Sequence, residues 1–138
     1  MKAYLILADG TVFEGISVGA AGETVGEAVF TTAMAGYMET ITDPSYYGQI
    51  VAQTFPLIGN YGTMTVDAES EKPELFGYIV REMDGTGSNF RNEGPLDSYL
   101  KAHNIVGIAG IDTRQLTRIL RESGVMNAMI TQSKTGLD

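Results

Sequence analysis

The sequence predicts a mixed α/β domain, strand-rich in its N-terminal half and running helix, strand, helix, strand in its second. Three observations carry that prediction. Short apolar runs broken by glycine fill the first half, a pattern of strands and turns. Beyond Gly87, apolar residues instead recur at helical spacing, first as Leu96, Tyr99, Leu100 and His103, then as Leu116, Ile119 and Leu120. The length of 138 residues fits one domain spanning 1–138.

Each element has its own warrant. Ala3, Tyr4, Leu5, Ile6 and Leu7 form the first strand, and Asp9-Gly10 predicts a two-residue type I′ hairpin turn into a return strand through Val12 and Phe13. Gly19, Gly22 and Gly26 mark a loop before a strand from Glu27 to Thr31. Met34, Tyr37, Met38 and Ile41 predict a short helix that Asp43-Pro44 ends, because the residue before proline is pushed out of the α region. Ile50 and Val51 head a strand closed by Pro56 and the Gly59-Asn60-Tyr61-Gly62 loop. Residues 67–72 are polar and read as exposed, and 75–80 as the next strand. Pro95 can open the Leu96 helix at its first turn, and Ile105-Val106-Gly107-Ile108-Ala109 is a nearly all-apolar strand. Asp112-Thr113-Arg114-Gln115 resembles a capping box, and Gly124 a C-terminal stop for that helix. Residues 126–131 close an expected β-α-β unit with parallel strands and a right-handed crossover.

Composition excludes several functions. Seventeen acidic against nine basic side chains give a formal charge of −8, which disfavours nucleic acid and anionic lipid as partners. With no cysteine there is no disulfide, thiolate metal site or cysteine nucleophile in this chain. One histidine excludes any site needing two imidazoles. No apolar run approaches the roughly twenty residues of a membrane span, and the N-terminal run reads as a strand, not a signal peptide, so a cytoplasmic protein is expected. No metal site is expected in the chain.

The candidate chemistry is sparse. Gly19, Gly22 and Gly26 match neither the dinucleotide fingerprint nor the P-loop, and Gly85-Thr86-Gly87-Ser88 lacks a third glycine. His103 falls on the apolar face at a helix end, where a partly buried structural histidine, or a C-terminal one favoured by the helix dipole, outweighs a general base. The acid-rich Asp67-Ala68-Glu69-Ser70-Glu71 reads as a solvated turn. Arg114, Arg118 and Arg121 form one basic stripe, either a solvent face with ion pairs or a contact for an acidic partner. Around Ser45 the chain sets three tyrosines and a proline turn between a helix and a strand. The Ser45 hydroxyl either closes a local Asx-type turn or presents a hydrogen bond to a small polar ligand.

The motif Gly-Tyr-x-Glu-x-x-Thr-Asp-Pro-Ser-Tyr-x-x-Gln-Ile at 36–50 closely resembles the small chain of glutamine-dependent carbamoyl-phosphate synthetase. Phe55-Pro56-Leu57-Ile58-Gly59-Asn60-Tyr61-Gly62, Ser88-Asn89-Phe90-Arg91, Tyr99-Leu100-Lys101-Ala102-His103-Asn104-Ile105 and Gly110-Ile111-Asp112-Thr113-Arg114-Gln115-Leu116-Thr117-Arg118 follow in the family's order. The resemblance implies the N-terminal domain of that small chain, a layered β/β/α swivelling-type fold. It implies that a class I amidotransferase domain with a Cys-His-Glu triad is absent from this cysteine-free chain, which carries no catalytic residue of its own. The complete enzyme is expected to hydrolyse L-glutamine and pass ammonia to a large chain. There ATP, with a divalent metal, serves carbamoyl phosphate synthesis for the arginine and pyrimidine pathways. This domain is expected to contact the large chain in a heterodimer and to help complete the glutamine site, with Ser45 as its substrate-binding residue. No cofactor is expected in this chain. A freestanding small-ligand or protein-binding module with the same fold remains the alternative. A continuing reading frame with a cysteine-containing amidotransferase would exclude that alternative.

Overall fold

A computed structural model describes residues 2–31, 41, 44–54, 74–81 and 99–132. The expected helix around Met34 to Met38, the 59–62 loop, the 67–72 turn, the Gly85-Gly87 stretch, Pro95, Leu96 and three of the resemblance motifs in whole or part lie outside them. Seven strands are described: β1 (Lys2–Leu7), β2 (Val12–Gly19), β3 (Thr24–Thr31), β4 (Gln49–Gln53), β5 (Gly77–Val80), β6 (Val106–Ala109) and β7 (Met126–Thr131). One helix, α1 (Thr113–Ser123), joins β6 to β7. A 3-10 turn, Pro44–Tyr46, precedes β4, and 99–102 are helical.

The strands close into a barrel in the order β1-β2-β6-β5-β4-β3-β7, with β7 returning to β1. Pairing is parallel from β3 through β4 and β5 to β6, and antiparallel elsewhere. The strand-rich mixed α/β expectation holds. The parallel β-α-β expectation does not: β7 leaves β6 altogether and pairs antiparallel with β1 and β3. The crossover rule applies to strands sharing one parallel sheet, whereas closing this barrel requires its last strand to bridge the two strands still unpaired.

Alternation along the strands builds the interior. Leu5, Leu7, Ile50, Ile79, Ile108 and Ile130 point inward among the small Ala3, Ala28, Ala52 and Ala128. That mixture of large and small side chains fills a narrow barrel without a pore. Ile111 and the α1 residues Leu116 and Leu120 join the same core. Asp112 caps α1, its carboxylate accepting from the Gln115 N–H at 3.1 Å, and Gly124 at φ 87° ends the helix, as the sequence indicates. Arg114, Arg118 and Arg121 are exposed, and the Arg121 guanidinium lies 5.7 Å from the Phe30 ring centroid.

A second core lies on the outside of the wall. Val51, Tyr78, Val80 and Ala109 face Ile41, Leu75, Tyr99, Leu100 and Ile105 from the connecting segments, and the Tyr78 hydroxyl donates to Gln53 Oε1 at 2.8 Å. Strands covered on both faces read as continuous apolar runs, which is why β5 and β6 are buried at every position.

The first hairpin differs in detail. Its loop is Ala8-Asp9-Gly10, closed by the Leu7 N–H donating to Thr11 O at 2.8 Å and the Gly10 N–H donating to Leu7 O at 2.9 Å. Only Gly10 has positive φ, at 96°. This is the three-residue turn with a glycine bulge, not type I′, which needs two positive-φ residues. Asp9 accepts from the Thr11 N–H at 2.9 Å, and that bond holds its carboxyl below the usual carboxylate range. On the neighbouring surface Lys2 pairs with Glu14 at 3.2 Å, which raises the lysine above its ordinary value.

Candidate functional site

Because β3, β4, β5 and β6 run parallel, the segments entering them gather at one end of the barrel. Residues 21–24 enter β3, the Ser45 turn enters β4, Leu75 and Phe76 enter β5, and His103 to Ile105 enter β6. β7 is antiparallel to β3 and therefore leaves at the same end. There Gln132 Oε1 accepts from the Gly22 N–H at 2.6 Å, and its Nε2 donates to Ser17 Oγ at 3.2 Å.

Ser45 is exposed in the middle of the 3-10 turn. Pro44 presets the first φ, and the Tyr47 N–H reaches back to Pro44 O at 3.3 Å. Gly48, at φ 77°, swings the chain into β4. The turn is seated against β3, since a Cβ on Gly26 would lie 2.6 Å from Gly48 O. Only glycine lets two backbones approach so closely. One step along, Gln49 Nε2 donates to Glu27 Oε1 at 2.9 Å. Tyr46 packs on the outer core, while Tyr47 meets Phe76 edge-on with ring centroids 5.6 Å apart. Both rings of that pair stay largely open, Tyr47 69% and Phe76 42% exposed.

Beside this turn lies an open groove of about 450 Å³ whose walls include Glu23, Thr24, Phe76, His103 and Asn104. Thr24 Oγ1 donates to Phe76 O at 2.9 Å and ties two walls together. His103 is exposed at the helix end, so the partly buried alternative does not hold while its helix-end position does. The helix stops at Ala102 and Asn104 takes φ 60°, so the last position of the apolar spacing falls in the terminating turn. Its ring rests 4.4 Å from that of Tyr99.

The structure therefore brings Ser45 and His103 to one end of the barrel, on segments that enter strands separated by β5. Among the described residues no group of three or more His, Cys, Asp or Glu could hold a metal ion, and no helix is long and apolar enough to cross a membrane. What this end can offer is an anchored hydroxyl, exposed aromatic edges and a polar groove, which suits binding. Sequence reasoning missed Phe76 and Glu23 because their neighbours arrive from distant segments. Gly26 was visible only as loop punctuation and Gly48 was not singled out, although their close approach seats the turn.

Comparison with known proteins follows the same boundaries. The pattern of the carbamoyl-phosphate synthase small chain, CPSase domain, matches residues 5–130. The carbamoyl phosphate synthase small chain of Polynucleobacter asymbioticus is 54% identical over 136 residues, 99% of this chain and 34% of the relative. That of Photobacterium profundum is 57% identical over 129 residues, 94% of this chain and 34% of its own length. The Clostridium perfringens small chain is 52% identical over 138 residues, 100% of this chain and 40% of the relative. The chain thus spans little more than a third of the curated relatives it matches. On a match that runs from β1 into β7, this chain belongs to the carbamoyl-phosphate synthase small chain family, through its CPSase domain.

Proposed function

We propose that this chain is the non-catalytic leading domain of a glutamine-hydrolysing carbamoyl-phosphate synthase, a cytoplasmic ligase. The observation that carries this reading is a family match across nearly the whole of a chain that contains no cysteine. The nucleophile for glutamine hydrolysis then belongs to an amidotransferase domain in the remaining length of the small chain. Glutamine and water give glutamate and ammonia there, and the ammonia passes to a large chain that uses ATP and a divalent metal to make carbamoyl phosphate. Arginine and pyrimidine synthesis draw on that product. The layered β/β/α swivelling description belongs to the same proposal, with the outer core supplying the contact between the wall and its covering segments.

Within this reading Ser45 supplies a hydroxyl to bound L-glutamine from across the domain boundary. Its turn is suited to that because it is anchored at four points, on Pro44, Gly48, Gly26 and Tyr46, while Ser45 itself faces outward. A donor held in place loses little freedom when the substrate arrives. The test is Ser45→Ala in the complete two-chain enzyme. Loss of one hydrogen bond, about 0.5–1.5 kcal/mol, should raise the glutamine KM roughly two- to tenfold while ammonia-dependent synthesis stays at the wild-type rate. An unchanged glutamine KM would remove Ser45 from the site.

A further inference from the structure

The turn that carries Ser45 is held by bonds of unequal quality. The Tyr47 N–H closes it onto Pro44 O at 3.3 Å, and the Gly48 N–H ties it to Glu74 O, ahead of β5, at 3.4 Å. Both are longer than the roughly 2.7–3.2 Å of a good N–H···O bond. Gly48 itself, at φ 77°, is a joint without a side chain to restrain it. Short bonds begin one residue on. Gln49 O accepts from the Phe76 N–H at 2.8 Å, and Gln49 Nε2 donates to Glu27 Oε1 at 2.9 Å. Gln49 is thus gripped from both sides, by its backbone to the entry of β5 and by its side chain to β3.

The alignment of β3 with β4 has other support. Their ladder runs from Glu27 opposite Gln49 to Thr31 opposite Gln53, and Ala28, Ile50 and Ala52 anchor it in the barrel interior. The Glu27–Gln49 pair stands at the end of that ladder nearest Ser45, on the outer face because its neighbours Ala28 and Ile50 point inward. Both residues are half-buried, and an amide donor to a carboxylate makes a stronger bond than a neutral pair does. The effect of that bond falls on the Gly48 joint, which it stops from swinging away from β3. From these contacts we infer that Glu27 and Gln49 are positioning residues that fix where the turn presents the Ser45 hydroxyl. This rests on the proposed role of Ser45 in holding glutamine and names the bond that aims it.

The test is the glutamine KM of the complete two-chain enzyme. Gln49→Glu sets two carboxylates against each other and should raise KM about two- to tenfold, up to the Ser45→Ala value. Glu27→Ala, which only removes the acceptor, should move KM the same way by a smaller factor. The exchange Glu27→Gln/Gln49→Glu rebuilds the bond with donor and acceptor reversed, and should return KM to within about twofold of wild type. Added to Ser45→Ala, Gln49→Glu should raise KM no further, because the hydroxyl it displaces is already gone. Thermal midpoints report that each variant is folded. If Ser45→Ala raises KM while Gln49→Glu and Glu27→Ala do not, the bond is a sheet contact only, and the inference falls with the role of Ser45 intact. Failure of the exchange to restore KM, or a further rise in the Ser45→Ala background, would equally overturn it. If Ser45→Ala itself leaves KM unchanged, the role of Ser45 fails and the inference with it.

Discussion

Gly26 and Gly48 show how much of the candidate site depends on side chains that are missing. The Gly48 carbonyl occupies the space a Gly26 Cβ would need, so β3 directly supports the turn that carries Ser45. Gly26→Ala must move backbone, because the obstructing atom is a carbonyl oxygen and not the end of a flexible side chain. We expect it to cost about 1–3 kcal/mol, read as a lower urea midpoint. In the complete enzyme it should also raise the glutamine KM, as a displaced Ser45 would. A midpoint equal to wild type would show that the turn is not seated on β3. The sequence marks Gly26 as a loop glycine, but which backbone it meets depends on β3 and β4 pairing over twenty residues apart.

Elements were more legible where their signals are local. The α1 cap and its apolar stripe obey rules that act within one or two turns of chain, and Asp112, Leu116, Leu120 and Gly124 all take their expected roles. Asp112→Ala should cost about 1 kcal/mol, measured as a drop in thermal stability; because Leu116 and Leu120 help fill the barrel, that loss should appear in the global unfolding transition. A separate early transition of the helix would contradict it. The first hairpin was found but its turn was not. Asp9-Gly10 signals a tight reversal, yet loop length follows from the register of Ile6 with Val12, which leaves three residues between Leu7 and Thr11. The partly buried alternative for His103 failed for a similar reason: helical spacing assumes that the helix continues, and the turn at Asn104 ends it one residue too soon.

At the scale of the molecule, seven strands close on themselves and remove every sheet edge, while two apolar layers hold the wall from inside and outside. Such a body is a platform that holds the Ser45 turn and the polar groove at one end. It holds one histidine and no cysteine, and Ser45 and His103 enter non-adjacent strands. We therefore expect purified chain supplied with glutamine to release ammonia no faster than buffer, in a coupled glutamate assay. Turnover above buffer that survives repurification would place a catalytic centre in this chain and defeat the proposed division of labour.

Taken by itself, the sequence determined the mixed strand-rich character, most strand positions, the capped helix, the lack of cysteine chemistry and the family resemblance. These depend on composition, short-range periodicity and ordered motifs, all of which are written along the chain. Tertiary structure alone decided the barrel closure, the antiparallel place of β7 and the seating of the Ser45 turn against β3. Each of those arises from pairing between residues remote in the sequence, and the free energy that selects one pairing over another comes from burying both faces of the wall at once.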